Sequence, residues 1–333
     1  MELYSTIKQL CLCPSVSGRE NKIRQLLSSL VEPFCDELSV DKLGNLIALK
    51  KGTGGGKRIM LAAHMDEIGF MVTFIEDNGM LRVAPVGGIS FVGAAYSRVI
   101  SESGVKGTIV PNAKTKPEDY KSDCFYIDIG ASSKKQADAM VGIGDFFVVE
   151  PHLQKLKGGR VCGRPLDDRV GCAVLLGIAE NLSECVLKDD IYYVFTVQEE
   201  VGCRGALPSA FAIAPDMALC FDVTATGDVP DASPMACRLG GGAAVKIKDA
   251  SVICDELITS RLSEIAESKK IKYQREVLLR GGTDTSSMQL SGSGASVGAL
   301  SIPTRYIHSP NEMCELSDAQ ACIDLATEFI LSI

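Results

Sequence analysis

Two adjacent glutamates, Glu199 and Glu200, follow an apolar run in YYVFTVQEEVGCRGA, which spans Tyr192 to Ala206. A strand that has simply reached water could end this way. Two carboxylates at one strand end could also have different jobs in one site. Similar residues recur at comparable places. His64 and Asp66 end IMLAAHMD, Asp167 and Asp168 precede a helical run, Asp222 ends MALCFD, and His308 lies in the loop RYIHSP. Neutral imidazole and carboxylate oxygen are ligands that suit Zn²⁺, Co²⁺ or Mn²⁺. There are only three histidines, and two of them, His64 and His308, keep such company; His152 does not and reads as structural. Taken singly, each residue also fits a turn, a cap or a satisfied polar group. Asp167 also fits a helix N-terminus favoured by the dipole.

The elements that must position them follow from periodicity. Ser17-Gly-Arg-Glu20 has capping-box spacing ahead of a helix with Ile23, Leu26, Leu27, Leu30 and Val31 on its apolar face. NLIALKKGTGGGKRIMLAAHMDE reads as two strands joined by a hairpin turn. GTGGGKR is not a phosphate loop, because it is a residue short, lacks the Ser/Thr after Lys, and precedes no helix. From about Gly69 to Arg160 the chain is a series of short β-type segments between Gly, Pro and Ser turns, with one short helix near Ser133–Met140. Then α and β alternate: helix 169–185, strand 191–198, strand 217–222, helix 255–269, strand 295–302 and helix 317–331. Such alternation predicts an α/β sheet with helices on its faces, and the β-rich unit is inserted into it. The catalytic part is expected at 1–68 and 161–333, and the insert at 69–160. Five segments then deliver ligand-type residues to strand ends or helix entries, the edge where open α/β sheets bind ligands.

Bulk properties narrow the function. The 333 residues carry a net charge of -8 and no long basic run, which argues against nucleic acid and anionic membranes as partners. No apolar run approaches a membrane span, and the first twenty residues lack the pattern of a signal peptide. Thirteen cysteines, an odd number scattered through core-like runs with no CxxC, suggest a reduced cytoplasmic protein using Cys as a small hydrophobe.

HMDEIGF, PLDDRVGC, QEEVGCRGA, CFDV, GGTD and IPTRYIHSP, in that order, resemble the motifs of the M42 metallo-aminopeptidases, which include glutamyl aminopeptidases and the tetrahedral TET peptidases. The resemblance covers most of the α/β part and implies a zinc-peptidase-like catalytic domain. Its fold would be α/β, a mixed sheet flanked by helices, with an inserted small all-β barrel-like domain used for dimerisation. It implies two divalent metal ions per subunit, Zn²⁺ or Co²⁺ with Mn²⁺ also suitable. His64, Asp167, Glu200, Asp222 and His308 would be the ligands, with Asp167 bridging and its peptide bond to Asp168 cis. Asp66 would orient the His64 ring, and Glu199 would be the general base for hydrolysis of an N-terminal peptide bond. Gly281, Gly282, Thr283 and Asp284, with Arg204, would contact the peptide substrate. A homo-oligomer between a dimer and a tetrahedral dodecamer is implied as well.

The chain departs from the family pattern at Leu239–Ala243, LGGGA, where Gly241 replaces a Lys, and after GGTD, where Thr-Ser stands for Ala-Gly. An acidic substrate preference is therefore not implied. Arg204, Arg238 and Arg305 remain as cations, each equally suited to a structural ion pair. Two other chemistries fit parts of the pattern. A carboxypeptidase or deacylase would need a cation beside the metals. A glycosidase would need two carboxylates facing across a sugar, and the absence of Trp is poor for a sugar cleft.

Overall fold

The run Arg58–His64 is apolar at nearly every position rather than at alternate ones, the pattern of a strand covered on both faces. A computed structural model describing residues 2–333 places it inside a large mixed sheet. The strands before the insert are β1 (Glu37–Val40), β2 (Leu46–Lys50) and β3 (Arg58–His64). The insert holds β4 (Gly69–Ile75), β5 (Leu81–Val86), β6 (Arg98–Ser101), β7 (Lys106–Pro111), β8 (Phe125–Asp128) and β9 (Phe146–Val149). After it come β10 (His152–Lys155), β11 (Arg160–Arg164), β12 (Asp190–Thr196) and β13 (Met217–Thr224). The last are β14 (Ala243–Lys248), β15 (Tyr273–Val277), β16 (Ser296–Arg305) and β17 (Glu312–Glu315).

The large sheet runs β1-β2-β12-β3-β13-β16-β17-β11-β10, with β14 and β15 branching from β16. Its central strands β12, β3, β13 and β16 are parallel, so their C-terminal ends share one edge. Successive side chains of β3 enter opposite layers. Ile59, Leu61 and Ala63 join the core under helices 3–11, 21–31, 169–182, 256–269 and 316–331. Met60 and Ala62 join a second core under helices 206–213 and 284–289.

The expected hairpin is not formed. β12 lies between β2 and β3, antiparallel to the first and parallel to the second. The Gly-rich loop therefore passes over the entrance to β12. A Cβ on Gly52 or Gly56 would meet the Lys188 carbonyl oxygen at 2.2 or 2.4 Å, so glycine is what permits the crossing. The expected capping box is also absent. The helix begins at Asn21, and the Ser17 hydroxyl instead donates to Asp66 Oδ2 at 2.6 Å. A buried carboxylate accepts a strong, charge-assisted bond from the hydroxyl proton, and Glu20 turns inward to accept from Gly18 N and Gln198 N.

The inserted strands close a barrel, β4-β5-β8-β7-β6-β9. Phe70, Leu81, Val99, Ile109, Phe125, Ile127 and Phe147 fill it. It docks on the larger domain through Val16, Val86, Phe146 and Val148. The last part of the expected insert differs: β10 pairs with β11 and so belongs to the large sheet.

Candidate metal centre

The shared strand edge gathers the ligand-type residues. His64 is the last residue of β3, level with Thr196 at the end of β12. Asp222 lies two residues before the end of β13, opposite Ser301. Asp167 joins to Asp168 by a cis peptide, and Asp168 caps the helix 169–182 by accepting from Gly171 N at 3.0 Å.

Asp167 stands between the two histidines. Its Oδ1 is 3.0 Å from His64 Nε2, and its Oδ2 is 3.2 Å from His308 Nε2. His308 Nε2 is also 3.1 Å from Glu200 Oε2, and His64 Nε2 is 3.8 Å from Asp222 Oδ1. Donor atoms of His64, Asp167 and Glu200 lie within 4.8 Å of one another, as do those of His64, Asp168 and Asp222. Asp168 is thus a further candidate ligand, with its Oδ2 buried and unpartnered.

Asp66 supports this group from behind. Its Oδ1 is 3.4 Å from His64 Nδ1 and accepts Glu199 N at 3.0 Å, while its Oδ2 accepts Glu200 N at 3.3 Å. One carboxylate therefore fixes a ring and the backbone of both glutamates. Those glutamates are not on the strand. β12 ends at Thr196, and the backbone turns at Gln198, where φ is +57°. Strand alternation stops there, which lets neighbouring side chains serve one site. Asn45 holds the turn closed, accepting from Val197 N and donating to the Gly205 carbonyl.

The electrostatics call for a cation. Burial pushes the Glu199 carboxyl well above its usual range, raises Glu200, and lifts Asp222 to about 8. Burial opposes charge on His308, but Asp167 and Glu200 outweigh it and lift the imidazole to about 11. Among the described residues no Lys or Arg forms a salt bridge with Asp167, Glu200 or Asp222; the histidines are their direct partners, and the buried Lys246 acts on Asp222 only from further off. A divalent ion bound by nitrogen and oxygen would supply positive charge there, and this donor set fits Zn²⁺, Co²⁺ or Mn²⁺.

Other expected site residues fall differently. Asp284 is buried beside Glu199, and its Oδ2 accepts from Thr196 Oγ1 at 2.5 Å. Thr283 caps the short helix 284–289. Gly281 and Gly282 are exposed, and a Cβ on Gly282 would meet Ser251 Oγ at 2.5 Å, so its close approach is to its own chain. Arg204 is exposed. Arg305 is a structural partner, 2.6 Å from Asp228. His152 stays apart, 3.1 Å from Asn311 Oδ1.

Sequence reasoning missed Glu312. This buried carboxylate accepts from Leu166 N, Asp167 N and His308 N at 2.6, 3.1 and 3.0 Å. It ties the loop carrying Asp167 to the loop carrying His308, and Arg164 lies 3.9 Å away.

The profile of the M42 glutamyl aminopeptidases matches residues 44–325. The chain belongs to the M42 aminopeptidase family. A protein of Acetivibrio thermocellus bearing a provisional aminopeptidase name is 45% identical over 334 residues, 99% of this chain and 98% of its own. An aminopeptidase structure from Desulfurococcus kamchatkensis superposes with a TM-score of 0.93 at 38% identity, covering 100% of this M42 chain and 97% of its own. The TET1 peptidase of Pyrococcus horikoshii, described as assembling into a tetrahedron or a large octahedral shell, matches with a TM-score of 0.88 and 33% identity, covering 100% and 99%.

Proposed function

We propose that this M42 protein removes residues from the N-termini of peptides at a dinuclear centre held by His64, Asp167, Glu200, Asp222 and His308. The observation that carries this reading is Asp167, whose two oxygens face two different histidines at 3.0 and 3.2 Å, as a bridging carboxylate should. A metal pair there would polarise the scissile carbonyl and make water a better nucleophile. Zn²⁺ or Co²⁺ suits the donors best, and Mn²⁺ is a third fit.

Glu199 is the general base. No histidine pairs with its carboxylate, and Asp66 fixes its backbone beside the cluster. Burial raises its affinity for a proton, which suits a group that takes one from water and returns it to the leaving amine. The excess of carboxylates suits a substrate's α-ammonium group, and so favours an aminopeptidase over a carboxypeptidase. Of the expected substrate contacts, Asp284 has a carboxylate oxygen within 4.8 Å of one on Glu199. Both glutamates sit on one turn, an arrangement ill suited to gripping a sugar from two sides.

A single peptide sequence assayed with a free and with an acetylated N-terminus tests the reading. The free form should be cleaved, the blocked form left intact, and a chelator should stop the reaction until Zn²⁺ or Co²⁺ is returned. Cleavage of the blocked peptide, or full activity with metal removed, would overturn it. We also infer a homo-oligomer assembled through the barrel. Light scattering should give a dimer or a dodecamer, and a monomer at all concentrations would refute this. None of the thirteen cysteines forms a disulfide, which suits a reducing cytoplasm.

A further inference from the structure

A second cluster of ligand-type side chains lies beside the main centre. Glu199, Cys203 and Asp284 each offer a donor atom, and these atoms lie within 4.8 Å of one another. The Cys203 thiol donates to Glu199 Oε1 at 3.2 Å. The backbone brings it there: Cys203 N donates to the Glu199 carbonyl at 2.8 Å, and Cys203 has a left-handed φ of +51°. Cys203 is half-buried, so the cluster is open to solvent on its side.

Asp284 supplies an independent observation. It is 1% exposed, and its Oδ2 is engaged by Thr196 while its Oδ1 is buried with no hydrogen-bond partner. A buried, unpaired carboxylate oxygen is costly, and a cation is one remedy. One thiolate and two carboxylates with an open position make a ligand set for zinc. The sulfur disfavours Mg²⁺ and Mn²⁺.

We propose that Glu199, Cys203 and Asp284 form an additional metal site, selective for a thiophilic divalent ion such as Zn²⁺, whose filling withdraws Glu199 from catalysis. On binding, the thiol proton leaves to solvent and the sulfur forms a bond to the ion. The inhibition rests on Glu199 being the base proposed above; the binding does not.

The test titrates the metal-loaded protein with further Co²⁺ or Zn²⁺ and compares it with Cys203→Ala and Cys203→Ser. The parent should take up one more equivalent than either variant. With cobalt it should show a thiolate-to-metal charge-transfer band that both variants lack. Activity of the parent should fall as that equivalent binds. The metal concentration for half-inhibition should rise about tenfold or more in the variants, since even an outer partner's loss costs this much at metal sites. Equal uptake in all three proteins, absence of the band, or unchanged inhibition in both variants would overturn the proposal. Uptake with the band but no loss of activity would keep the site and overturn the role of Glu199 as base.

Discussion

The barrel and the sheet edge treat burial in opposite ways. Inside the barrel strands, from Gly69 to Val149, the one buried polar side chain is Ser101, and the rest of the interior is apolar. All buried Asp and Glu among the described residues lie outside it: Asp66, Glu67, Asp167, Asp168, Asp222, Asp284 and Glu312 crowd one end of the large sheet, Glu20 reaches the same end through Gln198 N, and Asp249, Glu276 and Asp318 lie elsewhere in the larger domain. A fold selected only for stability would not gather carboxylates this way, because each unpaired buried charge is expensive. The contrast locates function. One region is built by packing alone, and the other departs from packing rules where the proposed chemistry lies.

The largest expected effect tests the edge. Glu199→Gln should keep its metal and bind substrate while the rate falls by about 10²–10⁴-fold, the usual cost of a lost general base. Glu200→Gln should instead lose metal and regain part of its activity when metal is added. Metal analysis beside kcat separates the two. Metal loss in the Glu199 variant with full occupancy in the Glu200 variant would reverse the assignment.

The barrel should fail differently. Phe125→Ala, at a fully buried aromatic, should cost about 3–5 kcal/mol of stability through the cavity it leaves. Molecules that remain folded should turn over at the parent rate, as judged by urea unfolding and by kcat per bound metal. A kcat that falls in proportion to the stability lost would erase the distinction between the two regions.

Glu312→Gln should have a smaller effect on the edge. An amide nitrogen cannot accept the N–H bonds that the carboxylate takes from both ligand loops, so one loop is released. Metal affinity should drop by about 10–100-fold, as when outer partners of metal ligands are lost. Equilibrium dialysis would show this, and an unchanged affinity would make Glu312 a purely structural residue. His152→Ala should do least, altering stability by about 0.5 kcal/mol or less and leaving metal content untouched.

The same contrast explains what the sequence made legible. His64, Asp167, Glu200, Asp222 and His308 could be read because such residues are scarce and recur at strand ends, which a parallel sheet must bring to one edge. The barrel could be read because its short alternating strands obey local rules. Pairing order was not legible: nothing local in β2 or β3 announces that β12, more than a hundred residues on, will separate them. Ser17 misled because its hydroxyl bonds a carboxylate distant in sequence rather than the nearby helix end. Glu312 was silent because its partners are backbone N–H groups, which leave no mark in residue spacing. Cys203 was hidden by the general rule that cysteine packs as a small hydrophobe.

The reach of the Asp66 and Glu312 bonds has a consequence for the life of the chain. Ser17 anchors Asp66 from near one end, and the loops bearing Asp167 and His308 are clasped by Glu312 from near the other. The centre can close only after the chain has been made and folded from Ser17 through Glu312. Nascent chains that stop short of Glu312 lack that clasp and should be inert. A cell that must make a peptide-cutting enzyme among half-finished proteins thus gains a timer, written into the order in which the residues are synthesised.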